Sequence, residues 1–254
     1  MRRIFWSAVW ILMTCVFCSA QNTLYFPQIA DGFTTTGNAW VTGIGVTNTA
    51  APGTATASGT ITLTKDDGTP WTVSFSDDQN RPVATGSSIP FQIAGGQTRL
   101  FISRASESLT SGFATVTSTL PVVGATLFIE FADLGNTRIA EAGVPASPAL
   151  SRQGTFVTRI SGSNSGIAVA NPGVGAATVT FQLLDTNGVA PLPSVTRTVA
   201  AKGHTAFFAS ELFPALSQSF FGTIQITSST PVVTTALVFE TNGQFATFPV
   251  FPLP

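Results

Sequence analysis

The sequence predicts an all-β protein: two tandem antiparallel β-sandwich domains behind an N-terminal signal peptide. Three observations carry that expectation. Strand-length stretches alternate apolar and polar residues, glycines and prolines separate them, and the second half of the chain restates the first. Alternation of period two lays one face of a strand on a core and turns the other toward water. Branched and aromatic residues favour strands, and Gly, Pro, Asn and Asp punctuate turns. Charged residues are only 9% of the chain, the reverse of a disordered composition.

The N-terminal element comes first. Arg2 and Arg3 precede an uncharged, mostly apolar stretch from Ile4 to Phe17, and Cys18-Ser19-Ala20 places small residues before Gln21. This is the pattern of a signal peptide over residues 1–20, cut after Ala20, and the run is too short for a membrane span. A lipoprotein would acylate Cys15 or Cys18, but Phe17 is too bulky for that motif; a retained N-terminal anchor is the other alternative. Both cysteines and two of the four tryptophans, Trp6 and Trp10, lie in this segment. The exported chain then has no disulfide and no thiolate metal site, and no cofactor is expected. Loss of Arg2 and Arg3 leaves nine basic against twelve acidic residues, a balance that argues against nucleic acid as a partner. No later apolar run reaches the length of a membrane helix. The expected location is secreted, extracellular or cell-surface, with the periplasm as a further possibility.

The repeated part follows in matching blocks. Gly43-Ile44-Gly45-Val46-Thr47-Asn48 corresponds to Gly166-Ile167-Ala168-Val169-Ala170-Asn171. Thr60-Ile61-Thr62-Leu63 and the turn to Gly68 correspond to Thr180-Phe181-Gln182-Leu183 and the turn to Gly188. The stretch from Ile93 to Thr98 matches Val199 to Thr205 with one residue extra, which sets Gln97 against His204. The stretch from Gly112 to Val123 matches Gly222 to Val233 without a gap, and Leu127-Phe128-Ile129-Glu130 then matches Leu237-Val238-Phe239-Glu240. The offset falls from 123 at the first block to 110 at the last, and loops account for it, chiefly a longer stretch from Ser76 to Ser88. Repeat 1 is therefore expected over 21–145 and repeat 2 over 153–254, joined by a short linker at 146–152 that allows end-to-end packing or a modest interface.

Each copy reads as about seven short strands. The turns at 66–68 and 186–188 close hairpins because Asp, Asn and Gly tolerate positive φ. Leu120-Pro121 and Thr230-Pro231 are expected to interrupt pairing, since proline has no donor. Only Ala209 to Leu216 suggests a helical turn, with Ser210 as its cap.

Phe26-Pro27-Gln28-Ile29-Ala30-Asp31-Gly32, the G-I-x-V-x-N strands, the D-x-x-G turn, the S-T-L-P-V-V and S-S-T-P-V-V strands and Ala142-Gly143-Val144-Pro145 together resemble tandem β-sandwich repeats of bacterial secreted proteins. They are loosely similar to immunoglobulin-like surface modules. The resemblance covers nearly all of 21–254 and implies export and fold. The cysteine pair and intervening tryptophan of immunoglobulin domains are absent from that part of the chain.

The residues that could carry chemistry are few. His204, the only histidine, follows Gly203 at a turn. As a base it would need a nucleophilic serine and an orienting carboxylate, and no G-x-S-x-G elbow occurs; an exposed turn histidine is expected. Glu130 and Glu240 end equivalent strands, too far apart across two domains for a carboxylate pair. Asp66, Asp67, Asp77 and Asp78, with Asn80, are the densest oxygen ligands, a weak calcium candidate if their loops meet; Asp185 and Asn187 are a sparser counterpart. Trp40 and Trp71 could stack on sugar rings if exposed. Phe207-Phe208 and Phe220-Phe221 must each send one ring away from the core. The expected function is a non-catalytic secreted or cell-surface module, structural or adhesive, whose partner is extracellular protein, polysaccharide or self. The alternatives are a carbohydrate-binding module and a self-assembling extracellular fibre subunit.

Overall fold

The computed structural model describes residues 21–254, so the predicted signal peptide lies outside the described residues, with Cys15, Cys18 and the choice between cleavage and retention. The described chain is all-β, in two antiparallel sheets of nine and eight strands. Among the described residues no helix is long and apolar enough to cross a membrane.

The first group of strands comprises β1 (Gln21–Phe33), β2 (Ala39–Asn48), β3 (Thr56–Lys65), β4 (Val73–Ser76), β5 (Pro82–Gly86), β6 (Ser88–Ala94), β7 (Thr98–Ser103), β8 (Thr110–Ala132) and β9 (Thr137–Pro145). The second comprises β10 (Leu150–Thr158), β11 (Asn164–Ala170), β12 (Ala177–Asp185), β13 (Val195–Val199), β14 (His204–Phe208), β15 (Phe221–Phe239), β16 (Phe245–Phe248) and β17 (Val250–Pro252), with the single turn α1 (Ala209–Leu212) between β14 and β15. Only residues 146–149 stand outside strands between the groups, because Leu150 and Arg152 already pair with β15.

One long strand organises each group. The first part of β8 pairs with β1 and β3, and its later part with β2 and β9. In the same way β15 pairs first with β10 and β12, then with β11 and β16. Pro121 and Pro231 sit where the partners change. The expected interruption is therefore corrected: each strand continues through its proline, and the missing donor falls at the changeover, where no ladder bond is needed. Side chains from both parts meet in one core per group. Phe26, Ile44, Ile61, Phe75, Phe91 and Phe101 fill the first, and Ile167, Phe181, Leu183, Ile224 and Val232 the second.

The pairings of the two groups share a register. Thr60 faces Thr117 as Thr180 faces Thr227, and Ile44 faces Thr126 as Ile167 faces Ala236. The strand motif ending in asparagine closes both groups alike. Asn48 donates from Nδ2 to the carbonyls of Ala55 and Ile93, while Asn171 donates to those of Gly175, Val199 and Ala200. Both are fully buried, where an unsatisfied amide would be costly.

The alignment of the turn before β7 and β14 needs correction. Ile44 pairs with Phe101 and Ile167 with Phe207, so Phe207 stands in the place of Phe101, and Thr98 rather than Gln97 in the place of His204. The turn contains no extra residue. Lys202 adopts φ 57° where Gly96 has 75°, a strained conformation for a residue with a Cβ. The longer stretch in the first group is the β4–β5 hairpin, capped by the Asp77 carboxylate, which accepts from the backbone of Gln79 and Arg81. On α1 the cap is Glu211, whose carboxylate accepts from the Phe208 N–H at 2.7 Å; Ser210 instead accepts from Asn164.

Candidate functional site

A histidine, a carboxylate and a hydroxyl converge where the two strand groups meet. The turn of Asp66 to Gly68, between β3 and β4, packs on the turn of Ala201 to Gly203 that leads into β14. A Cβ added to Gly68 would stand 2.9 Å from the Ala201 carbonyl. Glycine lets the two backbones touch. The His204 N–H donates to the Asp66 carbonyl at 3.0 Å, and its ring Nδ1 donates to Asp66 Oδ1 at 2.7 Å. Ser111 donates its hydroxyl to the other carboxylate oxygen, also at 2.7 Å.

The expectation of an exposed histidine is thus corrected. His204 is 4% exposed, because a turn of the other group covers it, and its Nε2 is buried without a partner. Burial alone would raise the Asp66 carboxyl. The hydrogen bond from His204, the charge of that ring when protonated and the Ser111 hydroxyl outweigh this, and hold it below the ordinary carboxylate range despite Asp67 nearby. A hydrolytic triad runs serine to histidine to carboxylate. Here serine and histidine both end on the Asp66 carboxylate, so the serine-to-histidine hydrogen bond of such a triad is not formed. The arrangement clamps two turns together.

A second polar group lies on β1. Asp31 is buried with Oδ1 unpartnered. Burial raises its carboxyl to about 6, which a hydrogen bond with Ser103 opposes and the Glu107 carboxylate assists. Glu107 borders an open cavity with Phe33 and Leu109, which Asp31 does not line.

Apolar contacts complete the joint. Ala30, Phe128, Ala142 and Val144 of the first group form one buried cluster with Leu237 and Phe245 of the second. Beside it, Phe208 and Phe239 of the second group face Gln28 and Phe128 of the first across a cavity of about 290 Å³.

The tryptophans belong to the packing. Trp71 is 5% exposed in the first core, so it offers no face to a sugar, contrary to the exposed-platform expectation. Trp40 stacks on Phe245 at 5.4 Å and meets Phe128 at a tilt at 4.7 Å, and so serves the joint. The four calcium candidates are divided. Asp66 holds His204, Asp67 accepts from Thr69 within its own turn, Asp77 pairs with Arg81, and Asp78 is exposed. Among the described residues no three His, Cys, Asp or Glu side chains gather as a metal site. Glu130 accepts from Asn38 at 2.7 Å, and Glu240 lies exposed at a turn. Asp185 accepts from the Asn187 and Val189 N–H groups of its own turn. As each aromatic pair requires, Phe207 packs on Phe181 while Phe208 turns outward, and Phe220 is buried while Phe221 is 44% exposed.

Sequence reasoning did not find the joint, although it left a signal. His204, Ser111, Asp66 and Trp40 all occupy places where the other group has a residue of different chemistry: Thr98, Phe221, Thr186 and Ser163. A scan of the mismatches, rather than the matches, would have pointed to these positions. No protein-family model matches this chain, and no curated protein matches its sequence.

Proposed function

We propose that this chain is a non-catalytic extracellular module, structural or adhesive, exported by residues 1–20 and built as two tandem copies of an immunoglobulin-like β-sandwich over 21–145 and 153–254. The shared register of the two strand groups supports the duplication. The resemblance to repeats of bacterial secreted proteins supports export.

One observation carries the functional reading: the place where histidine, carboxylate and hydroxyl meet is wired as a clamp between the copies. A module of this kind presents two joined sheets to its surroundings. Secretion of the full chain by a bacterial host, N-terminal sequencing of the exported form and assays on ester, peptide and glycoside substrates test it. The expected result is an extracellular chain beginning at Gln21 with no turnover. Retention inside the cell, or a hydrolysis that Ser111→Ala or Asp31→Asn abolishes, would overturn it.

A further inference from the structure

The joint inside the chain covers one face of each strand group and leaves the matching face of the other group open. On β15, the side that bears Leu237 is packed by the first group: Leu237 is 4% exposed, Thr235 2% and Val233 fully buried. The same places on β8 are Leu127, Ala125 and Val123. Leu127 is 41% exposed, Ala125 is exposed and Val123 is half-buried. The first group therefore carries, uncovered, the apolar strand face that the second group hides.

The opposite end shows the converse. The first group reaches the joint with the Pro27–Gln28 bulge of β1, with Ser111 and with Val144. By register, the second group has Phe156, Phe221 and Phe248 in these places. These rings form a cluster that is half-buried at Phe156 and Phe248 and 44% exposed at Phe221, with Phe156 6.3 Å from Phe221, 6.0 Å from Phe248 and 5.9 Å from Phe251 of β17. The nearby turn residue Val189, next to Gly188 as Thr69 is next to Gly68, is 59% exposed. Where the internal joint has a serine and a bulge, the free end has aromatic rings. Exposed apolar side chains gathered on one face mark an association site.

We propose that these chains associate head to tail with further copies of themselves: the Phe156–Phe221–Phe248 face of one chain seats on the Ala125–Leu127 face of the next. This repeats between chains the contact that joins the two groups within one. The inference rests on the reading of the chain as two copies of a module, and it names self as the partner. The surfaces differ, so the contact is heterologous and does not close on itself unless the rotation happens to form a ring; it extends in line. The ionic clamp is not repeated, because Thr98 and Thr186 replace His204 and Asp66. The contact between chains is therefore apolar and insensitive to salt.

Sedimentation and light scattering on residues 21–254, which hold both described cores, test this in low and high salt. The wild type is expected to rise in mass with concentration, to twice the monomer and beyond, alike in both salts. Leu127→Asp and Phe221→Asp each remove one of the two exposed surfaces and should each be monomeric. Mixed in equal amounts they should form a one-to-one dimer that grows no further, since each supplies the face the other lacks. Circular dichroism and thermal unfolding confirm that both variants are folded. A wild type that stays monomeric at the highest attainable concentration overturns the proposal. So does association that survives in either variant alone, which would mean a symmetric contact. These results leave export and the lack of turnover untouched, and those are read in separate assays.

Discussion

Asp31 has a charge that its surroundings do not accommodate. Burial lifts its carboxyl from 3.8 to about 6, Ser103 offsets part of that and Glu107 adds to it. The folded chain holds this proton more tightly than the unfolded chain does. The resulting stability is full below about pH 4 and is lost as the pH rises through about 6. A difference of that size corresponds to about 3 kcal/mol. Asp31→Asn keeps the shape without the charge. In urea unfolding it should gain on the wild type by up to about 3 kcal/mol between pH 4 and pH 7. A difference that is flat with pH would show that the carboxylate is comfortably solvated. At this scale the sequence was legible where a residue serves its own neighbourhood. Asn48 and Asn171 end their strands by bonding adjacent loops, and the motif that holds them marks both. His204 was not legible, because its partner lies 138 positions away and only the joint brings them together.

Strand elements were legible to the extent that their periodicity is local. β3 and β12 alternate in sequence and in burial, and the turns that follow them place Gly68 and Gly188 at positive φ. The length of β8 and β15 was not, because a proline inside an apolar stretch reads as an end unless the change of partners around it is known. Both long strands also depend on a glycine whose role is one of space. A Cβ on Gly112 would stand 2.0 Å from the Thr64 carbonyl, and one on Gly222 2.1 Å from that of Leu184. Neither neighbour can yield without breaking a ladder bond. Gly112→Ala and Gly222→Ala should therefore each destabilise by about 2 kcal/mol or more. Denaturant midpoints report this directly, and a midpoint within error of the wild type would mean that the strands part freely there.

The whole molecule behaves as the joint dictates, and the joint is the part that a search for repeated blocks overlooks, since it is made of residues that do not repeat. Its apolar cluster and its clamp tie the groups together, so at neutral pH the described chain should unfold in one calorimetric transition. Acid acts on the two carboxylates in opposite directions. Protonation of Asp31 strengthens the first group. Asp66 is held below the ordinary range, so its contribution is present above about pH 4 and is lost as the pH falls through its folded value. Below about pH 4, then, the first group is at its firmest while the clamp to the second weakens as Asp66 takes up its proton, and the single transition should separate into two. Asp66→Asn removes the charge that His204 and Ser111 hold, and should show two transitions at neutral pH as well. If the wild type and Asp66→Asn both unfold in one transition at pH 7 and below about pH 4, the apolar cluster alone couples the groups and the clamp contributes nothing to their union.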